Sequence, residues 1–260
     1  MTMEYIADPL FYALAVPAVL IAGISKAGIG GGLGVVAVPL MTLAISPVQA
    51  AAILLPILCL MDLFGLYAYR GAWDRRNIAL MLPGALAGII VGALAFRYLS
   101  DDVVRLIVGT VALAFVFYRA VSDIVLRRVS VQARTAGPRG MFWAGLAGFT
   151  SFVAHAGAPP IQVYLLPQRL DKTVYVGTMT LFFAAVNYAK LLPYGLLGQL
   201  SASNLGTALL LAPVIPLGIW LGLRLHRMLN ETLFYRVVFA ILTLTGLRLV
   251  WKGLEGIIGG

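Results

Sequence analysis

Long apolar runs, broken by short polar turns, dominate the chain. They cover 10–24, 29–45, 48–68, 78–96 and 103–118, and then 141–154, 159–167, 174–197, 205–223 and 233–250. Several approach the roughly 20 residues a helix needs to cross a bilayer. The first two runs of each set are short and are divided by Gly or Pro. No run shows the alternation of about ten residues that a membrane strand requires. The pattern predicts helices throughout.

The two sets resemble one another. Ala22-Gly23-Ile24-Ser25 corresponds to Ala147-Gly148-Phe149-Thr150. Pro83, Gly88 and Gly92 recur as Pro213, Gly218 and Gly222, and Arg97-Tyr98-Leu99-Ser100-Asp101 as Arg227-Met228-Leu229-Asn230-Glu231. Internal repeats of this kind build many transporters. The expected organisation is a transmembrane repeat over 1–120, a basic cytoplasmic linker over 121–139 and a second transmembrane repeat over 140–260.

Composition sharpens the picture. Of 260 residues, 61% are apolar and 11% charged, with a mean hydropathy of +0.96. A soluble domain carries about 45–50% apolar and 25% charged residues. A soluble enzyme, a nucleic-acid-binding domain and a disordered chain are thereby excluded. The excess of 19 Lys+Arg over 10 Asp+Glu reads as loop charge that sets orientation. Arg119, Arg127, Arg128, Arg134 and Arg139 place the linker inside, and counting segments back places the N-terminus outside. Arg70, Arg75, Arg76, Arg169, Lys172, Arg224, Arg227 and Arg236 then also fall inside. Arg97, Arg105, Arg248 and Lys252 fall outside. Corresponding loops carry opposite bias, as inverted repeats with an odd number of segments would. The N-terminus has Glu4 and Asp8 but no basic residue, so the first run is read as permanent structure rather than a signal peptide.

Candidate chemistry lies where polar groups enter the apolar runs. Gly28, Gly30, Gly31, Gly32 and Gly34 are too dense for a stable helix interior. A non-helical break over 28–34 is expected, followed by a half-helix over 33–45. Its free N–H groups and dipole would favour an anion, with Lys26 beside them. The other reading of the glycines is close helix packing. In the second half, Pro159 and Pro160 suit the first turn of another half-helix. His155 before them would donate to an anion, carry a proton or bond a backbone carbonyl, and Gln162 follows. Ser151 and His155 lie four apart, yet no acid or nucleophile elbow accompanies them, so a hydrolase dyad is set aside. Asn187 and Lys190 share a helix face that Tyr194 continues. A lysine within a membrane segment is a functional candidate, with snorkelling to the interface as the alternative. Asp62 would carry a proton or pair with Lys26 or Lys190. Gly84, Gly88 and Gly92, like Gly218 and Gly222, read as packing strips. The single Cys59 permits no disulfide or thiolate cluster. No cofactor, metal or catalytic residue is expected.

The pattern GxGGGxxxVxVP from Gly28 to Pro39 resembles the sulfite exporter TauE/SafE family. AHAGAPPIQVYLLPQRLDK and GTMTLFFAAVNYAKLLPYGLLGQL resemble a subgroup in which the second glycine triplet is replaced, here by Ala156-Gly157-Ala158. The resemblance implies a duplicated bacterial membrane transporter for sulfite, organosulfonates or related sulfur anions.

The expected fold class is therefore all-α: a polytopic membrane protein of two inverted repeats, each of about five hydrophobic segments, including broken or re-entrant half-helices. The expected function is alternating-access transport of a small sulfur-containing anion across the bacterial cytoplasmic membrane. Lys26, Gly30, Gly31, Gly32, His155, Gln162, Asn187 and Lys190 would bind it, and Asp62 and His155 would couple protons. Expected partners are the anion, the bilayer, a coupling proton or ion and a second copy of the chain, with no nucleic acid. An uncoupled channel-like facilitator is one alternative, separable by flux that is neither saturable nor proton-dependent. An intramembrane enzyme is another, separable by turnover of a lipid or peptide.

Overall fold

A computed structural model describes residues 5–29, 34–96, 98–126, 138–228 and 231–258. Eleven α-helices and no strand occur among them. In order they are α1 (Pro9–Ile29), α2 (Ala37–Met41), α3 (Pro47–Ala68), α4 (Arg75–Phe96), α5 (Asp101–Leu126), α6 (Pro138–Ala154), α7 (Ala158–Leu165), α8 (Lys172–Leu196), α9 (Ala202–Leu211), α10 (Val214–Met228) and α11 (Glu231–Ile258). Local chemistry sets several starts. Ser46 caps α3 by accepting from the Gln49 N–H, with Pro47 in the first turn. Asp171 caps α8, and Ser201 caps α9. Each cap satisfies N–H groups that the first helical turn leaves without a partner.

The protein is an all-α, multi-pass membrane protein. Pro9–Gly28, Pro47–Ala68 and Arg75–Phe96 are each long and apolar enough to cross a bilayer, and α9 with α10 makes a further, bent candidate. The outer faces carry leucine, isoleucine and valine, as at Leu86, Ile90, Val91 and Leu94 on α4. The first half of α3 is deeply buried, with Ala50 to Leu55 and Ile57 wholly so, while Leu60, Leu63, Phe64 and Tyr67 farther along are exposed. An all-round apolar stretch such as that first half belongs in the interior.

Three boundaries differ from the sequence reading. The 205–223 run is not one rod. It is split at Ala212-Pro213 into α9 and α10, bent by 48°. Pro213 has no N–H to donate, and its ring disfavours helix at the residue before it. The non-helical stretch expected over 28–34 is helical at both its ends, and the half-helix expected over 33–45 is only the five residues of α2. Gly28 is helical within α1, and Gly34 already opens a 3-10 turn, Gly34–Val36, that leads into α2. Gly30, Gly31 and Gly32 lie outside the described residues. The expected linker over 121–139 is helical at both ends, since α5 runs to Leu126 and α6 starts at Pro138; the residues between lie outside the description.

Helix pairing is reciprocal between the two halves. Helix α4 packs along α6, and α10 packs along α1. By chain order these pairs exchange roles: the first helix of each half lies on the fourth run of the other. Helices α3 and α8 contact one another, as do α5 and α11. The glycine strips make the exchange close. A Cβ on Gly88 would fall on the Gly145 carbonyl, and one on Gly92 would come within 3.0 Å of Phe152. On the other side, a Cβ on Gly222 would lie 2.7 Å from the Ile24 carbonyl, and one on Gly28 would lie 3.0 Å from that of Gly222. The packing role read for Gly84, Gly88, Gly92, Gly218 and Gly222 thus extends to Gly28.

Gly88→Ala should destabilise the purified protein, since overpacking costs about 1–3 kcal/mol. Gly195→Ala, in α8 where a new Cβ meets nothing within 4 Å, should leave the melting temperature equal or higher. Equal melting temperatures for wild type and Gly88→Ala would refute the close α4–α6 contact.

Candidate functional site

Two lysines enter the helical core, and they are held in different ways. Lys26 sits in the last turn of α1. Its Nζ is 2.7 Å from Asp62 Oδ1 on α3 and 3.5 Å from the Leu58 carbonyl. The second carboxylate oxygen of Asp62 accepts from Asn187 Nδ2 at 2.8 Å. Asp62 is wholly buried, so its charge requires this cation and this amide.

Lys190, on α8, is also wholly buried. Its Nζ lies 3.0 Å from both the Ser151 carbonyl and Ser151 Oγ, and 2.7 Å from His155 Nδ1. His155 Nε2 is 2.8 Å from the Ala51 carbonyl. A carbonyl only accepts, so Nε2 bears the proton and Nδ1 of the neutral ring is an acceptor. Three acceptors then surround Nζ, matching the three N–H bonds of an ammonium. No carboxylate contacts it among the described residues.

His155 has φ +51°, left-handed backbone where glycine is usual. It closes α6, where its N–H donates to the Ser151 carbonyl and the Ala156 N–H to the Thr150 carbonyl. Strain of about 1–3 kcal/mol at such a residue persists where its surroundings hold it. Here the two ring bonds and Tyr194 do so. The Tyr194 ring stacks 6.3 Å from the imidazole, and its hydroxyl donates to the Phe152 carbonyl at 2.6 Å.

An offset of 125 residues relates these parts. Tyr69, at the end of α3, donates to the Ala27 carbonyl of α1 at 2.6 Å. Adding 125 to both numbers gives the Tyr194–Phe152 bond. The same offset takes Lys26 to Ser151, Asp62 to Asn187 and Gly65 to Lys190. Asp62 and Asn187 are therefore equivalent positions that bond each other, as residues beside a two-fold axis do. The charges break this symmetry: the first half has its lysine on the first helix, the second half on α8.

A partly open cavity, of about 50 Å³, lies against these groups. Lys26, Ser151, His155, Thr180 and Asn187 supply its polar lining. Ala22, Leu54, Leu58, Met179 and Phe183 supply apolar lining, and Gly34, Ala37 and Ala158 bring the starts of the short helical pieces to its wall. Of the expected site residues, Lys26, His155 and Asn187 line the cavity. Lys190 and Asp62 stand one layer behind, on Ser151 or His155 and on Lys26 or Asn187. Gln162 is buried on α7, away from the lining, and Gly30, Gly31 and Gly32 fall outside the described residues. Helix α7 brings few N–H donors to the cavity from its first turn, because Pro159 and Pro160 occupy it.

Three features went unread in the sequence. Ser151 is the seat of Lys190, a role that its four-residue spacing from His155 does not reveal. Thr180 and Phe183 line the cavity on the face of α8 that carries Asn187; their spacing of seven and four from it was the available signal. Tyr69 and Tyr194 each tie a helix end, and their common offset marks them.

A family profile described as "Sulfite exporter TauE/SafE" matches residues 15–249. No curated protein and no solved structure matches the chain.

Asp62→Ala should strand the Lys26 ammonium, and losing one partner of a buried pair costs about 3–5 kcal/mol. Adding Lys26→Met should restore most of the lost melting temperature. If Asp62→Ala melts like wild type, the pair does not form.

Proposed function

Because the chain belongs to the TauE/SafE sulfite exporter family, we propose that it is a secondary transporter moving a small sulfur-containing anion (a sulfite, thiosulfate or organosulfonate) by alternating access. The observation that carries this reading is the charge of the buried centre. Asp62 offsets Lys26, whereas Lys190 meets only neutral partners in Ser151 and His155. One positive charge remains beside a cavity, and a monoanion would neutralise it. Lys26, His155 and Asn187 face the anion in this reading. Lys190 acts through Ser151, whose Oγ accepts from Nζ and keeps its own O–H for the cavity. Gly30, Gly31, Gly32 and Gln162 remain candidates for contact in another conformation.

The moving parts are the two repeats, 1–120 and 140–260. Their reciprocal helix pairing and the 125-residue correspondence support an inverted arrangement, in which the two halves exchange conformations around the site. Asp62 and His155 are the candidates for proton coupling, and the bacterial cytoplasmic membrane is the location. A homodimer is the assembly in this reading.

Binding should appear first as ligand-dependent stability. A ligand present at a hundred times its dissociation constant adds about 2.7 kcal/mol to the native state. Sulfite, thiosulfate, sulfate, taurine and sulfoacetate are the panel, and at least one sulfur anion should raise the melting temperature. No shift with any of the five would refute the anion site. In proteoliposomes the flux of that anion should saturate and follow an imposed pH gradient. Asp62→Asn should remove the pH dependence if Asp62 carries the proton, and non-saturable flux would indicate a facilitator instead.

Orientation has its own test. In a Cys59→Ser background, Ala202→Cys should react with an impermeant thiol reagent from outside the cell, and Ser130→Cys should not. The opposite labelling would invert the topology taken from loop charge.

A further inference from the structure

Five threonines are buried among the described residues: Thr150, Thr178, Thr180, Thr207 and Thr245. Four donate their hydroxyl to the carbonyl four residues back. The distances are 2.9 Å to Leu146, 2.6 Å to Val174, 2.8 Å to Ser203 and 2.7 Å to Ile241. This is the ordinary way for a helical hydroxyl to be satisfied in an apolar setting. Thr180 does not do so. Its residue is 3% exposed, and its Oγ1 has no hydrogen-bond partner. It is also the one threonine of the five that lines the central cavity. The side chain is held from the other direction, because a Cβ at Gly65 of α3 would come within 2.8 Å of the Thr180 methyl. A buried hydroxyl without a partner costs about 1–3 kcal/mol, so its retention on a cavity wall calls for an acceptor that enters the cavity.

We propose that Thr180 is a ligand-binding residue, its hydroxyl donating to an oxyanion oxygen in the central cavity. The inference rests on the reading of that cavity as an anion site. The other donors at hand agree with it. Lys26 spends N–H bonds on Asp62 and Leu58, which leaves the third. The Ser151 hydroxyl accepts from Lys190 and has its own hydrogen to give. Both nitrogens of His155 are engaged, so the imidazole adds no donor in this conformation. Asn187 gives one amide hydrogen to Asp62 and keeps the other. Helices α1 and α6 thus each offer one hydrogen to the same cavity, and α8 offers two, from Thr180 and Asn187. A ligand with several terminal oxygens takes them together, whereas a halide has no separate oxygens to distribute among them.

The test compares wild type with Thr180→Val, which keeps the shape, and Thr180→Ser, which keeps the hydroxyl. Purified full-length protein is titrated with sulfite, thiosulfate, taurine and sulfoacetate by calorimetry, and each protein is also melted without ligand. For whichever anion wild type binds, T180V should weaken affinity by about ten- to a hundredfold, as for loss of a hydrogen bond to a charged group. T180S should stay within about threefold. Without ligand, T180V should melt at or above the wild-type temperature, because an unsatisfied buried hydroxyl has been replaced by a methyl. Wild-type affinity in T180V overturns the assignment while leaving the anion site intact. A lower ligand-free melting temperature, or failure to fold, would make Thr180 structural and also overturns it. If wild type binds none of the four, the anion site itself fails and the role of Thr180 with it.

Discussion

Two ammonium groups lie in the interior of this bundle, and one carboxylate is hydrogen-bonded or paired with them among the described residues. In water such an imbalance is trivial. In a bilayer every buried charge must be met by protein, so the neighbours of Lys26, Asp62 and Lys190 have little freedom. Asn187 is needed for the second Asp62 oxygen. Ser151 and His155 are needed for Lys190, and His155 reaches Nζ from a left-handed backbone that Tyr194 and Ala51 help to hold. The break between α6 and α7 is thus fixed by charge as well as by proline.

Close helix approach serves the same end. Bare glycine faces let α4 lie on α6 and α10 on α1 at backbone contact. Those contacts bring the first helix of each half against the other half, and so draw Lys26 and Ser151 toward one cavity from opposite sides of the chain's repeat. Helices α3 and α8 then meet between them, with Asp62 on Asn187.

Much of this was legible in the sequence, and the reasons differ by residue. The all-helical, membrane-spanning character followed from composition and run length. The glycine strips followed from four-residue spacing, because small residues at that period have one mechanical use between helices. The start of α7 at Ala158 followed from Pro159 and Pro160. The bend at Pro213 carried its signal too, but the apolar run continued across it and hydrophobicity does not report direction. The partners of Lys190 were not legible. Ser151 and His155 lie far from it in sequence, and only the folded chain brings α6 onto α8. Thr180 could be placed on the Asn187 face by spacing alone. That its hydroxyl lacks a helical acceptor is a matter of rotamer, which spacing cannot encode.

The order of synthesis gives the two lysines unequal histories. Ser151 and His155 are translated before Lys190, so α8 enters the membrane with its ammonium's acceptors already made. Lys26 is translated before Asp62. Until α3 arrives, α1 carries an unmatched cation, a burden that reaches about 2.5–3.5 kcal/mol at mid-bilayer and falls toward the ends of a span. Lys26 stands three residues from the end of α1, close enough for its stem to reach toward the headgroups while it waits. Biogenesis thus favours the lysine near the helix end in the first half, and tolerates one deep within its helix in the second.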